Sequence, residues 1–164
     1  MSNSRALTQI LREETEAHRE LLALKSRERE EIIHGKIGDL EETILAIGQT
    51  VGRIREMEDC RASITSDVSI ELGMDNSLPT IREIAQALPE GESREILEVG
   101  EELRNLTWKV RRINGETRYL IFQSLEWMNS LMAQLTGKPM GQTGYNARGE
   151  RIGVTGSILL NQTL

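Results

Sequence analysis

The sequence predicts an all-α fold: an elongated antiparallel helical bundle of three long helices plus one short helix, with a flexible C-terminal tail. Two observations predict it. Apolar residues recur at alternating three- and four-residue spacings through the first 136 positions, the period of one helix face. Glycine and proline signals divide that pattern into segments, and no strand-like alternation competes with it.

Residues 5 to 34 read as the first helix. Leu7, Ile10, Ala17, Leu21 and Leu24 mark its apolar face, with Glu14 and Glu28 as polar interruptions. Charges of both signs cover the rest, as on a solvated helix surface. Gly35 and Gly38 make a short break, and Asp39 is placed to cap the second helix. That helix runs to about residue 72 on the seam Leu40, Ile44, Ile47, Val51 and Ile54. Gly48 and Gly52 share one face of it, which admits two readings: close approach of a neighbouring helix, or a tolerated local weakness of about 1 kcal/mol per glycine.

"GMDNSLP", residues 73 to 79, is a loop, and "TIREIAQAL" a short amphipathic helix stopped by Pro89. The last helix begins near Glu90 and runs to about Thr136. Ile96, Val99, Leu103, Leu106, Val110 and Ile113 form a narrow heptad-like seam along it. "NG" at 114 and 115 is the natural place for a bend. "TGKPMGQTG" ends the helix, and the tail from Gly137 holds six of the fourteen glycines. The domain division is therefore 1–136, a helical bundle, and 137–164, a flexible Gly-rich tail.

Length and charge narrow the function. A chain of 164 residues fits one domain. A net charge of −6 argues against a nucleic-acid partner, which requires a basic face. The single cysteine, Cys60, has no internal disulfide partner and fits a reducing cytosol. "MSNSRALTQI" has no apolar secretory core, and no run approaches the roughly 20 apolar residues of a membrane span. A cytoplasmic location without membrane insertion is the expectation.

One segment departs from the charged, aliphatic character of the rest. "RYLIFQSLEWMNSLM", residues 118 to 132, carries only Arg118 and Glu126 as charges, in a chain where 28% of residues are charged. It holds three of the five aromatic residues, and no Phe, Tyr or Trp occurs before residue 108. On a helical wheel, Ile121, Leu125 and Met132 form one stripe. Trp127, Leu120, Leu131, Leu135 and Met128 form a second, with Phe122 on the far flank of the first. Together they span about 200°, against the roughly 100° a surface helix needs for its own core. One stripe can serve the bundle. The other fits a second neighbour within a bundle, a homodimer contact, or a docking surface for a helix of another protein, with Met supplying adaptability.

Catalytic chemistry is absent from the pattern. His34 closes "EIIH", a single Glu-x-x-His where ferritin-like metal sites need two plus two further glutamates. His18 in "EAHRELLALK" reads as a solvated helix histidine rather than a phosphotransfer residue. "GQTGYNARGERIG" is glycine-rich but lacks the strand before and helix after that a phosphate loop requires. No enzyme activity, cofactor or metal is expected.

The order of these pieces resembles the FlgN family of flagellar export chaperones. The resemblance rests on the opening "ALTQILREETEAHRELLAL", on "REMEDCRASI", and above all on "INGETRYLIFQSLEWMNSLM" followed by "TGYNARG". Asn114, Leu120, Ile121, Ser124, Leu125, Tyr145 and Gly149 match its pattern, while Thr117 stands where a second asparagine is frequent. The resemblance implies a cytosolic, non-enzymatic chaperone; a monomer or weak homodimer is the separate expectation for its assembly. It would bind the C-terminal helical region of hook–filament junction proteins, prevent their premature assembly and deliver them to the flagellar type III export apparatus. It further implies client contacts through the last helix, at Leu120, Ile121, Phe122, Leu125, Trp127, Met128, Leu131, Met132 and Leu135. Tyr145 in the net-basic tail would dock at the export gate and its ATPase complex. A generic coiled-coil adaptor or other secretion chaperone, a phosphotransfer bundle centred on His18, and a purely structural homo-oligomer are the rival readings.

Overall fold

Two glycines in the left-handed conformation set the length of the first two helices. The computed structural model describes residues 3–76, 78–136, 143–145 and 151–153. Helix α1 spans Asn3–Ile33 and α2 spans Ile37–Glu71. Gly35 and Gly73 each have φ of 65°. At both, two backbone bonds close a Schellman motif: Gly35 N–H to Ile32 O with Lys36 N–H to Glu31 O, and Gly73 N–H to Ile70 O with Met74 N–H to Ser69 O. Asp39 lies in the first turn of α2 rather than capping it. Lys36 holds the cap position, and no side chain bonds there.

Helix α3, Ile81–Ala87, starts in a capping box: Thr80 accepts from the Glu83 N–H while the Glu83 carboxylate accepts from the Thr80 N–H. That backbone bond holds the Glu83 carboxyl below the usual range. Leu88 is extended, as the residue before a proline must be, and α4 follows over Glu90–Thr136. It stays helical through Asn114 and Gly115. Beyond it, β1 (Thr143–Tyr145) pairs antiparallel with β2 (Arg151–Gly153), with Gly144 opposite Ile152. The fold is all-α in its helices, and this short ladder is an addition that the glycine-rich composition hid. The rest of the segment from Gly137, with the flexibility assigned to it, lies outside the described residues.

Residues 1–117 form one compact unit and residues 118–164 a second. In the first unit, all four helices contribute to one cluster: Leu7, Ile10 and Leu11 of α1, Val68 of α2, Ile84 and Ala85 of α3, and Ile96 of α4. Gly100 lets α3 lie close, since a methyl group there would stand 3.1 Å from Ile81 Cγ2. A smaller cluster joins Ala17, Leu21 and Ile54, with Val110 packed against it. Helix α4 runs parallel to α1. Ser4 Oγ donates to Glu92 Oε2 at 2.8 Å, and the Arg12–Glu95 and Arg19–Glu102 pairs hold an offset of 83 residues. That offset sets Glu116 of α4 level with Ile33, the last residue of α1.

The α1–α2 hairpin is closed by carboxylates as well as apolar residues. Glu14, 1% exposed, accepts from Arg61 Nε at 2.8 and 3.1 Å. Glu20 accepts from Thr50 at 3.1 Å and from Arg53. Glu31 accepts from Thr43 at 3.1 Å and from Arg27 at 2.6 Å. Burial alone would raise the Glu31 pKa, but these bonds outweigh it and hold the carboxyl low. Ile47, Val51 and Ile54 of the expected α2 seam do pack inward and Leu40 is half-buried, but Thr43, Thr50 and Arg61 share the inward face with them. Ile44 is 50% exposed because Thr43 takes the inward place beside Glu31. In α4, by contrast, Ile96 and Leu106 are buried and Val99, Leu103, Val110 and Ile113 half-buried, the expected seam.

Ile96→Ala should therefore cost about 2–4 kcal/mol, as a fully buried truncation does, whereas Ile44→Ala should cost less than about 1 kcal/mol. Denaturant titration of the two variants checks the contrast; equal losses would return Ile44 to the core.

The hairpin carboxylates should also titrate in opposite senses. Burial raises the Glu14 pKa and Arg61 only partly offsets it, so the stability tied to Glu14 is present at low pH and lost as pH rises through that raised pKa. The hydrogen bond from Arg53 lowers the Glu20 pKa, with Thr50 adding to it against a smaller burial effect, so its contribution is present at neutral pH and lost on acidification. Between neutral pH and about pH 4, the wild type should gain stability relative to Glu14→Gln and lose it relative to Glu20→Gln. Thermal melts across that range read both signs.

Candidate functional site

From Arg118 onward α4 continues on good helix formers, Leu, Met, Gln and Glu, with neither proline nor glycine before Thr136. Its small hydroxyls turn inward on their own backbone: Ser124 Oγ donates to Leu120 O at 2.9 Å, as Thr117 Oγ1 does to Ile113 O. The helix thus leaves those positions with no polar side chain reaching out for a partner.

The apolar arc is exposed almost throughout. Ile121, Phe122, Leu125, Trp127, Met128, Leu131, Met132 and Leu135 are all open to solvent, from 39% at Leu131 to 76% at Leu135, and Leu120 is half-buried. The two stripes do not separate into a core stripe and a free one. Ile121, Leu125 and Met132 of the first are as exposed as Leu131 and Met128 of the second. Exposed apolar surface on this scale, on one helix, makes the arc a candidate interaction site.

The chemistry of the arc is simple. Only Arg118 and Glu126 carry charge between residues 118 and 135. Glu126 lies just beyond the Phe122 edge of the arc, and Arg118 falls between Leu125 and Phe122 as the one charge within it. Trp127, 66% exposed, and Phe122 offer large rigid surfaces, while Met128 and Met132 offer adaptable ones. Two further aromatics carry no signal in the sequence pattern. Tyr119 is exposed on the polar side of the same helix, and Trp108 is exposed upstream with the Arg112 guanidinium 5.4 Å from its ring centroid. A lone aromatic on a polar face has no periodicity to betray it, so only the fold reveals its exposure.

The remaining candidates fall outside this surface. His18 is buried, with Nδ1 2.8 Å from Glu14 O, so it belongs to the hairpin interior rather than to a solvated face. The interior position removes the access that a phosphotransfer histidine needs. His34 is exposed with Nδ1 2.8 Å from Glu30 O. Among the described residues, no three of His, Cys, Asp and Glu converge as a metal site would require, and no helix is long and apolar enough to cross a membrane. Tyr145 contributes its backbone to β1 opposite Arg151; its side chain and Gly149 lie outside the described residues.

Because Trp127 and Leu135 stand mostly in solvent, Trp127→Ala and Leu135→Ala should each shift stability by less than about 0.5 kcal/mol. Denaturant titration measures this, and a loss comparable to Ile96→Ala would mean that the arc is core.

Comparison with known families finds a match to the family described as FlgN protein over residues 1–151. Comparisons with curated proteins and with solved structures find no match.

Proposed function

The chain belongs to the FlgN family of flagellar export chaperones, and from that premise we infer that the apolar arc of α4 holds a client helix before export. The single observation carrying this reading is the exposure of Ile121, Phe122, Leu125, Trp127, Met128, Leu131, Met132 and Leu135 on one helix. The clients are the hook–filament junction proteins, and the segment held is their C-terminal helical region. An amphipathic helix that assembles with its neighbours in the finished structure must be covered beforehand, and an arc of aromatic, Leu and Met side chains covers it by shape and apolar burial. Such a task needs no reacting group, cofactor or metal. In this reading residues 1–136 form the scaffold and client surface, and residues 137–164 are a docking tail. The protein works in the cytoplasm, and Tyr145 engages the export gate.

With so few charges in the arc, affinity comes from apolar burial. Binding of a peptide from the C-terminal helix of a junction protein should therefore change little between low and high salt. Trp127→Ala should weaken it about thirtyfold or more, as loss of a central aromatic anchor does. Isothermal titration reads both. Unchanged affinity in Trp127→Ala and in Leu125→Ala/Met132→Ala would remove the arc from the client site.

The tail reading has its own test. Tyr145→Ala should leave peptide binding intact while junction-protein secretion falls and chaperone–client complex accumulates in the cytosol. Normal secretion by that variant would end the docking role.

A further inference from the structure

Helix α2 carries a second heptad-spaced series on the face opposite its core seam. Glu41, Leu45, Gly48, Gly52, Arg55 and Asp59 succeed one another at four- and three-residue steps, and all are exposed. Ile37 and Ile44 flank them at 63% and 50% exposure, and Leu45 itself is 69% exposed. Nothing stands within 4 Å of the position a Cβ would take at Gly48 or Gly52. Among the described residues, Glu41, Arg55 and Asp59 make no ion pair. The face thus has apolar knobs, a backbone open to close approach, and uncommitted charges of both signs.

We propose that this face is a self-association surface, on which α2 of a second copy of this chain packs antiparallel about a two-fold axis at Gly48. The charges select both the partner and the register. With the axis at Gly48, residues equidistant from it meet. Glu41 of each copy then faces Arg55 of the other, and Leu45 enters the hollow over Gly52. Asp59 comes level with Lys36 and Ile37, at a helix start that no side chain caps and that carries a partial positive charge. An axis midway between Gly48 and Gly52 would instead oppose Glu41 to Asp59 and Leu45 to Arg55, placing like charges together and an aliphatic knob on a guanidinium. A parallel pairing would set each charge against its own copy. The antiparallel arrangement about Gly48 satisfies every member of the series, and an isologous contact needs that self-complementarity. Gly48 permits the backbones to approach because it presents no side chain. The contact involves one helix from each copy, so the dimer is small in area and reversible on dilution.

Sedimentation equilibrium of the full chain, across micromolar to millimolar concentration, should show a monomer–dimer equilibrium. Glu41→Arg should weaken it about tenfold or more by facing Arg55, and Glu41→Arg with Arg55→Glu should restore it. In a Cys60→Ser background, Gly48→Cys should form a covalent dimer under mild oxidant, whereas Ser63→Cys, exposed on the same helix but far from the axis, should not. All these positions are exposed, so circular dichroism should show an unchanged helical fold. A chain that stays monomeric at every concentration overturns the proposal. So does a dimer indifferent to Glu41→Arg but lost in Trp127→Asp, which would place the contact on α4, and so does failure of the charge-swapped double variant to recover.

Discussion

Four helices meet at only one end of the first unit, around Leu7, Leu11, Val68, Ile84 and Ile96, and everything else in that unit is arranged from there. This cluster fixes the angle at which α2 returns along α1 and the level at which α4 starts. Away from it the apolar core thins to Ala17, Leu21 and Ile54 with one contribution from α4, Val110. Where aliphatic contacts thin, carboxylates of α1 take over: Glu14 on Arg61, Glu20 on Thr50 and Arg53, Glu31 on Thr43. These bonds fix the hairpin's register more than they add stability. A buried charge pair roughly balances its desolvation, but removing one partner leaves the other stranded.

That substitution of polar for apolar partners explains where sequence reading succeeds and fails. The α4 seam from Ile96 to Ile113 is legible because it is aliphatic and strictly periodic. So are the glycine ends of α1 and α2 and the proline end of α3. The α2 seam is misleading at Ile44, because nothing local says that Thr43 has a carboxylate waiting across the hairpin. His18 misleads for the same reason: a polar side chain among charges looks solvated until the facing helix is known. The short ladder of Thr143–Tyr145 with Arg151–Gly153 is hidden by glycine-rich composition, which carries no alternation to read.

The candidate site is legible to a greater degree, since it consists of what a helix does not need for itself. A soluble helix with an apolar arc twice the usual width announces surplus surface whatever its neighbours are. Sequence cannot divide that surplus between bundle and partner, and both stripes are exposed alike within α4. In the proposed reading a client uses the surplus, and the near absence of charge would make that contact one of shape and burial, with little electrostatic steering. The scaffold and the site thereby obey opposite chemistries, one laced by ion pairs and the other almost free of them.

The parallel run of α4 along α1 has a consequence for synthesis. Helices α1 and α2 are adjacent in the chain and closed by a three-residue turn, so their hairpin can form while later residues are still being made. Helix α4 can complete the cluster at Leu7 and Leu11 through its first turns, at Ile96, while residues 118–136 are still within the ribosome. The order of the chain thus puts the exposed apolar segment of α4 after the residues that build the scaffold. A nascent molecule can begin to build its scaffold before its largest exposed apolar surface emerges, and the order of synthesis itself times that emergence.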